Sequence, residues 1–398
     1  MLMKALLINS VLGYGSTGRI VKDLHDCLLD QGHQPLVAFG RGKGLEGYQQ
    51  LKIGNLVDQA MHLASSRLFD DHGLKSKLVT KRFIKEIEAF NPDLIHLHNI
   101  HGYFLNYPVL MEYIRDKKLP VVWTLHDCWS FTGHCAYFDF VGCDKWKELC
   151  FDCPQKNAYP ESIGWDKSSR NYKLKKEYFN AIGAIMVSPS QWLTDLVKQS
   201  FLNQRAITIP NGIDLEVFRY NPEAKLNFPK DKKIILGVAS VWEPRKGLSF
   251  FEELQHQLPD QYHLALVGVS DKEKALFTNS KVTLISRTSN VQELVDIYSS
   301  ADVLLNPTLE DNFPTVNLEA QACGLPVITF DTGGSPETIT KATGLVVEKS
   351  IDAILQGLFE LSLLSREDLR KHCIKHAKNY DKAYRYQQYI ELYEEIIK

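Results

Sequence analysis

Arg245 and Lys246 follow the apolar run KIILGVAS and stand just before a helical stretch, so two cations sit beside a helix N-terminus. That pairing suits a diphosphate and could stabilise negative charge as it develops on a leaving group. The segment TLEDNFPTVNLEAQACGLPVITFDTGGSPE supplies a partner. Asp311 lies on the loop before a helix entered near Pro314, and Glu319 falls about two turns into it. The amides of the first helical turn lie between the two acids. Sugar hydroxyls and a ribose need carboxylate acceptors, and a diphosphate needs amide donors and cations. This one span and its basic neighbour offer all of them.

The first half of the chain carries different chemistry. Gly13, Gly15 and Gly18 spell G-x-G-x-x-G between a strand and a helix, the context in which backbone amides meet a phosphate. A dinucleotide site would also want an acid at the end of the second strand, where this chain has Phe39-Gly40-Arg41. An arginine there keeps an NADP-dependent oxidoreductase open, beside a tight turn needed only for packing. His96, His98, His101 and His126 gather around two strand ends with Asn99 and Asp127, which suits proton handling at an acceptor hydroxyl. The H-x-H pair lacks a third ligand of clear spacing for a metal. Cys135, Cys143, Cys150 and Cys153 crowd a loop-like stretch that closes in C-x2-C. A structural zinc site, two disulfides and free thiols all fit that spacing, and a reducing compartment favours zinc over disulfides.

These residues need a scaffold, and the apolar pattern describes one. KALLIN, a glycine loop, a helix with Ile20, Val21, Leu24 and Leu28 on one face, and PLVAF form a βαβ start. The alternation runs on through LIHLH, VVWTL and AIMVS to IPNGID, where Pro210, Asn211 and Gly212 mark a boundary. A second set follows with KIILGVAS, HLALVG, VTLIS, DVLLNP, PVITF and GLVVE. The reading is α/β, with two doubly wound Rossmann-like domains facing a cleft. The domains expected are 1–209, with a Cys-rich insertion at about 128–165, then 210–378, then a helix at 379–398 returning to the first domain. In that last helix Tyr386, Tyr389, Ile390 and Tyr393 read as a buried stripe.

Composition agrees. The 398 residues are 44% hydrophobic and 24% charged, with a net charge of -2, which excludes a disordered tail and gives no overall field toward nucleic acid. No apolar run is long enough to cross a bilayer, and the opening MLMKALLINS reads as a buried strand rather than a signal peptide. The expected location is cytoplasmic, at most in peripheral contact with the inner face of the membrane, since no strongly basic amphipathic helix is evident.

The acid-x7-acid span resembles the signature of retaining glycosyltransferases of the GT-B architecture, in particular family 4, and the R-K-G segment resembles that family's diphosphate-binding basic motif. The similarity extends over HLHNIHG, WTLHDCWSFTGHC and PNGID, and is greatest to the branch that builds bacterial capsules, exopolysaccharides and O-antigens. It implies transfer of a sugar from a nucleotide-diphosphate sugar to a saccharide or lipid-linked saccharide acceptor, without a catalytic metal or cofactor. It implies donor contacts from Gly15, Ser16, Arg245, Lys246, Glu310, Asp311, Asn312, Phe313, Pro314, Thr315 and Glu319. Glu319 would take the ribose, Asp311 or the adjacent Glu310 the donor sugar, and Arg245 and Lys246 the diphosphate. His126 would touch the sugar near the reacting carbon. His98, Asn99, His101 and Tyr103 are the acceptor candidates. A non-catalytic sugar-nucleotide-binding protein on the same fold is the other reading kept open.

Overall fold

Short apolar runs ended by turn residues form the strands and stretches of helical apolar spacing form the helices of the computed structural model, which describes residues 2–224, 226 and 228–398. The chain divides into two compact units, Met1–Pro210 with Arg385–Lys398, and Asn211–Tyr384.

The first unit runs β1 (Lys4–Val11), α1 (Gly15–Asp30), β2 (Gln34–Arg41), β3 (Gln50–Lys52), α2 (Leu56–Phe69), α3 (Lys77–Phe90), β4 (Leu94–Leu97), α4 (Tyr107–Lys117), β5 (Val121–Thr124), α5 (Ser168–Asn180), β6 (Ile185–Ser188), α6 (Gln191–Gln199) and β7 (Ala206–Thr208). Its strands pair in parallel in the order β3-β2-β1-β4-β5-β6-β7. Strand β1 pairs in register with β2 from Lys4↔Gln34 to Val11↔Arg41 and is buried on both faces. Leu6 and Ile8 enter one apolar cluster, Ala5 and Leu7 the other, as alternation along a strand requires.

The second unit runs β8 (Lys233–Val238), α7 (Leu248–Gln257), β9 (Tyr262–Val267), α8 (Asp271–Lys274), β10 (Val282–Ile285), α9 (Val291–Ser300), β11 (Val303–Asn306), α10 (Thr315–Ala322), β12 (Val327–Phe330), β13 (Gly344–Val347), α11 (Ile351–Ser362) and α12 (Arg366–Ala377). Its parallel sheet has the order β10-β9-β8-β11-β12-β13. Each sheet therefore reverses winding direction beside its first strand, β1/β4 in one and β8/β11 in the other. Ligands of doubly wound sheets bind at the carboxyl ends there.

Helix α13 (Lys382–Ile396) returns to the first unit and buries the stripe of Tyr386, Tyr389, Ile390 and Tyr393. The division falls after Tyr384 rather than at 378 because the intervening backbone is tied to the second unit. Ile213 N–H donates to Tyr380 O at 2.8 Å, Lys382 N–H to Ile213 O at 2.9 Å, and Lys382 Nζ meets Asp214 Oδ2 at 2.6 Å. Helix α2 is absent from the sequence expectation, and its faces explain why. Its buried positions are His62 and Ser66, whereas Leu56, Val57, Met61 and Leu68 face outward, the reverse of the usual pattern.

Candidate active site

In the second unit the basic loop leaves β8 and the acid loop leaves β11, so the winding reversal brings them together. Lys246 Nζ forms an ion pair with Asp311 Oδ2. Arg245 acts first as a brace. Its Nε meets Glu243 Oε2 at 2.9 Å, its Nη1 donates to Glu310 O at 2.9 Å, and its own carbonyl accepts from Leu309 N–H at 2.7 Å. Two glycines allow this knitting. Gly247 has φ +75 and a Cβ there would lie 2.1 Å from Pro307 O; Gly333 has φ +57 and a Cβ would lie 2.0 Å from Asp311 O.

Burial separates the two adjacent acids. Glu310 is fully buried, while Asp311 keeps an accessible edge. Burial opposes the Asp311 charge, but Lys246 and Arg245 outweigh it and hold the carboxyl below its ordinary range. The N–H of Asn312 donates to Asp311 Oδ1 at 2.9 Å, and Phe313 and Pro314 are buried beneath the loop. Pro314 is the N-cap of α10 and offers no side-chain acceptor to the first-turn amides. Within α10, Thr315 is half-buried at the entry, and Glu319 Oε2 accepts from the buried Tyr298 hydroxyl at 3.1 Å. Asn317 anchors the helix, accepting from Asn306 Nδ2 at 2.8 Å and donating to Thr338 Oγ1 at 2.8 Å. Neither Tyr298 nor Asn317 was singled out in the sequence, because their partners lie on separate elements.

The corresponding end of the first sheet holds the glycine loop after β1 and the histidines after β4 and β5. Gly13 N–H closes the loop onto Gly18 O at 2.9 Å, leaving Gly15 and Ser16 exposed at the start of α1, whose N-cap Tyr14 gives no side-chain bond. His98 Nδ1 lies 3.1 Å from His126 Nε2 with the rings stacked. Burial pushes His126 down to about 4, so the ring is neutral near pH 7 and works through hydrogen bonds rather than charge. His96 is a core residue, bonded to Thr124 Oγ1 at 2.8 Å and to Tyr393.

A relay missed in the sequence lies alongside. His101 Nε2 is 3.0 Å from Asp127 Oδ2, and His101 Nδ1 is 2.8 Å from the Tyr159 hydroxyl. The carboxylate only accepts, so in the neutral ring Nε2 carries the proton and Nδ1 accepts from Tyr159. Asp127 is fixed in turn by Trp129 N–H at 2.9 Å. Tyr103 follows in the left-handed region at φ +70 and is buried. Of the acceptor candidates, His98, His101 and Tyr103 are thus buried supports, and Asn99 is half-buried with its N–H on Asn9 Oδ1 at 3.2 Å.

The zinc expectation finds no support. Cys135, Cys143, Cys150 and Cys153 border one small pocket, yet all are free thiols. Among the described residues no group of three or more His, Cys, Asp or Glu side chains is placed to hold a metal ion. Two of the sulfurs bond each other and a third accepts from the backbone. Cys135 hydrogen-bonds Cys153, raising the former thiol and lowering the latter to about 7, and Cys150 Sγ accepts from Gly133 N–H at 3.2 Å.

The family model described as Glycosyltransferase Family 4 matches residues 17–217, and that described as Glycosyl transferases group 1 matches residues 220–380. The chain is 27% identical over 378 residues, 90% of each chain, to the putative colanic acid biosynthesis glycosyl transferase WcaC of Escherichia coli. It is 29% identical over 184 residues, 44% of this chain and 47% of the relative, to the N,N'-diacetylbacillosaminyl-diphospho-undecaprenol alpha-1,3-N-acetylgalactosaminyltransferase of Campylobacter jejuni. Anabaena Alr3699/HepE, solved in complex with UDP-glucose, shares the fold with a TM-score of 0.68 at 15% identity, over 98% of this chain and 99% of its own. With one family model matching just over half of its length and a second matching most of the rest, the chain belongs to glycosyltransferase family 4 and has the Rossmann-like domains of the GT-B fold.

Proposed function

We propose that the protein transfers a sugar, with retained configuration, from a nucleotide-diphosphate sugar to a saccharide acceptor in the assembly of a cell-surface polysaccharide. The observation that carries this reading is the Lys246–Asp311 ion pair at the uncapped entry of α10, with the Glu319 carboxylate about two turns on. Glu319 takes the ribose hydroxyls, Asp311 takes hydroxyls of the donor sugar, and Lys246 with the α10 amides takes the diphosphate as it leaves. Arg245 holds Glu310 and the acid loop in place and adds positive charge. Asn312, Phe313, Pro314 and Thr315 shape the sugar side of that loop.

The first unit serves the same donor through the backbone at Gly15 and Ser16 and through His126 near the reacting carbon. Asn99, backed by His98, His101 and Tyr103, receives the acceptor. The acceptor hydroxyl attacks from the face that the diphosphate leaves, and its proton passes to the departing phosphate oxygen, so no metal is required. WcaC and Alr3699/HepE support the polysaccharide role and the nucleotide donor, and the Campylobacter relative, named for a diphospho-undecaprenol substrate, supports an acceptor carried on a polyprenyl diphosphate. Family membership leaves the oxidoreductase reading of the glycine loop without support.

Incubation with a panel of sugar nucleotides, with and without saccharide acceptors, tests the proposal. Release of nucleoside diphosphate, with the anomeric configuration kept in the product, is expected. Tight donor binding without turnover on any acceptor would make the protein a sugar-nucleotide sensor instead.

A further inference from the structure

Helix α2 is turned inside out relative to solvent. Every position of α2 that is exposed carries an apolar side chain, and the polar side chains are buried or half-buried. Leu56, Val57, Met61 and Leu68 are 76%, 65%, 61% and 47% exposed. At about 100° per residue they share one side of the helix with Ala60 and Ala64. The inward face is pinned by specific bonds. Asn55 and Asp58 form a capping box, His62 Nδ1 lies 2.9 Å from Ser76 Oγ, and His62 Nε2 accepts from Gly73 N–H at 3.1 Å. Rotating α2 to hide its apolar side would break all of these.

The apolar side continues beyond the helix. Ile163 N–H donates to Arg67 O at 2.9 Å and Trp165 N–H to Leu68 O at 3.3 Å, which lays the 163–165 strap along the end of α2. Ile163 and Trp165 are themselves 63% and 64% exposed. Cations flank the face. Lys167 sits over the Phe69 ring at 5.6 Å, and Lys75, Lys77, Lys81 and Arg82 are exposed on the stretch that follows. Of the acids between them, Asp70 is committed inward to His134 at 2.6 Å, while the single Asp71 carboxylate faces Arg170 at 2.7 Å, Lys75 at 3.4 Å and Lys167 at 3.7 Å, so the flank stays net positive.

We propose that the outward face of α2, with Ile163 and Trp165, docks the protein onto a bilayer containing anionic phospholipid. Leucine, valine and methionine side chains enter the acyl boundary, the Trp165 indole lies at headgroup depth, and the flanking lysines meet lipid phosphates. The charge pattern favours lipid over a second copy of the chain. A two-fold contact would pair this patch with a copy of itself and so set a net-positive flank against a surface of the same sign, whereas an anionic surface complements it. Among the described residues no helix is long and apolar enough to cross a membrane. The inference does not rest on the catalytic reading, since docking needs no donor.

Cosedimentation of the full chain with phosphatidylcholine vesicles, with and without phosphatidylglycerol, tests it. Binding is expected with phosphatidylglycerol, weakening as salt rises. The double variant Val57→Glu, Met61→Glu should bind roughly 100-fold more weakly, since two apolar side chains no longer leave water. Leu363→Glu, at an exposed apolar position of the second unit, should bind as the parent does. Bromine-labelled acyl chains should quench tryptophan fluorescence in the parent and less in Trp165→Phe, a readout that does not depend on the double variant. Turnover on a soluble acceptor should be unchanged in every variant. Absent vesicle binding, or binding equal in parent and double variant, would overturn the proposal. So would a parent dimer that the double variant dissolves without any lipid binding, which would assign the face to a second copy.

Discussion

The two units place their candidate site residues at the same point of the same winding, yet they furnish that point with opposite chemistry. In the second unit the β8/β11 reversal holds fixed charge, with Asp311 kept ionised against its burial by Lys246 and Arg245. In the first, the β1/β4 reversal holds imidazoles, His98 on His126, both kept neutral by burial, and His101 on Asp127. A diphosphate needs charge that does not titrate, and sugar hydroxyls need donors and acceptors in a fixed array. The shared topology supplies the place, and the local residues supply the specificity.

The largest effect should come from the charged site. Lys246→Met should lower kcat/KM for the donor by about 100- to 1000-fold, the range found when one positioned donor to a developing negative charge is lost. Asp311 loses its ion-pair partner in this variant, so part of the loss is an uncompensated buried carboxylate. Steady-state kinetics checks it, and a loss confined to KM would show that Lys246 only binds. The next contrast separates the units. Glu319→Ala should weaken donor binding about 10-fold or more by calorimetry, because ribose hydroxyls and Tyr298 both lose an acceptor. His126→Ala should lower kcat by about 100-fold while shifting donor affinity much less. Equal losses of affinity in the two variants would erase the distinction between them.

The sequence displayed the charged site more openly than the neutral one, for a physical reason. The RKG and acid loops are each continuous in the chain and flanked by strand and helix signals, so their joint chemistry is local. The Asp127–His101–Tyr159 relay draws on three separate segments, and Tyr159 lies in the 128–165 insertion, whose only regular pieces are single turns of 3-10 helix. Spacing carries no trace of such a contact. Helix α2 escaped because a buried His62 and an exposed Leu56 invert the pattern by which helices are recognised. The Cys-x2-Cys spacing suggested convergence of four thiols, and they do border one small pocket, but spacing sets reach and not whether the sulfurs point as a chelating set.

Acid should find the first site before the second. His126 and His62 are both pushed down to about 4 by burial, against about 6.5 in an unfolded chain. As pH falls below about 6.5 the unfolded state takes up protons that the folded state refuses, so stability declines until about pH 4. Each group contributes up to about 1.4 kcal/mol per pH unit. His134, raised against its burial by Asp70, works in the other direction and offsets part of the loss. Asp311, held low, keeps its contribution until pH drops below the ordinary carboxylate range. Urea midpoints between pH 7.5 and 4.5 should fall, and the slope should flatten in His126→Asn. An unchanged slope would mean that water reaches His126 in the folded protein.

The smallest expected effect concerns the cysteines of the first unit. Cys135 and Cys153 bond each other and Cys150 bonds the backbone, so purified protein should hold no stoichiometric zinc, and chelation should leave the melting temperature and turnover unaltered. Thiol titration should also be graded rather than uniform. Cys153, lowered to about 7 by its bond from Cys135, should react with an alkylating reagent well before Cys150, whose thiol burial pushes up to about 12. A metal shared by the four thiolates would abolish that order, because each sulfur would be deprotonated and shielded alike, and its recovery on chelation would restore zinc to the loop.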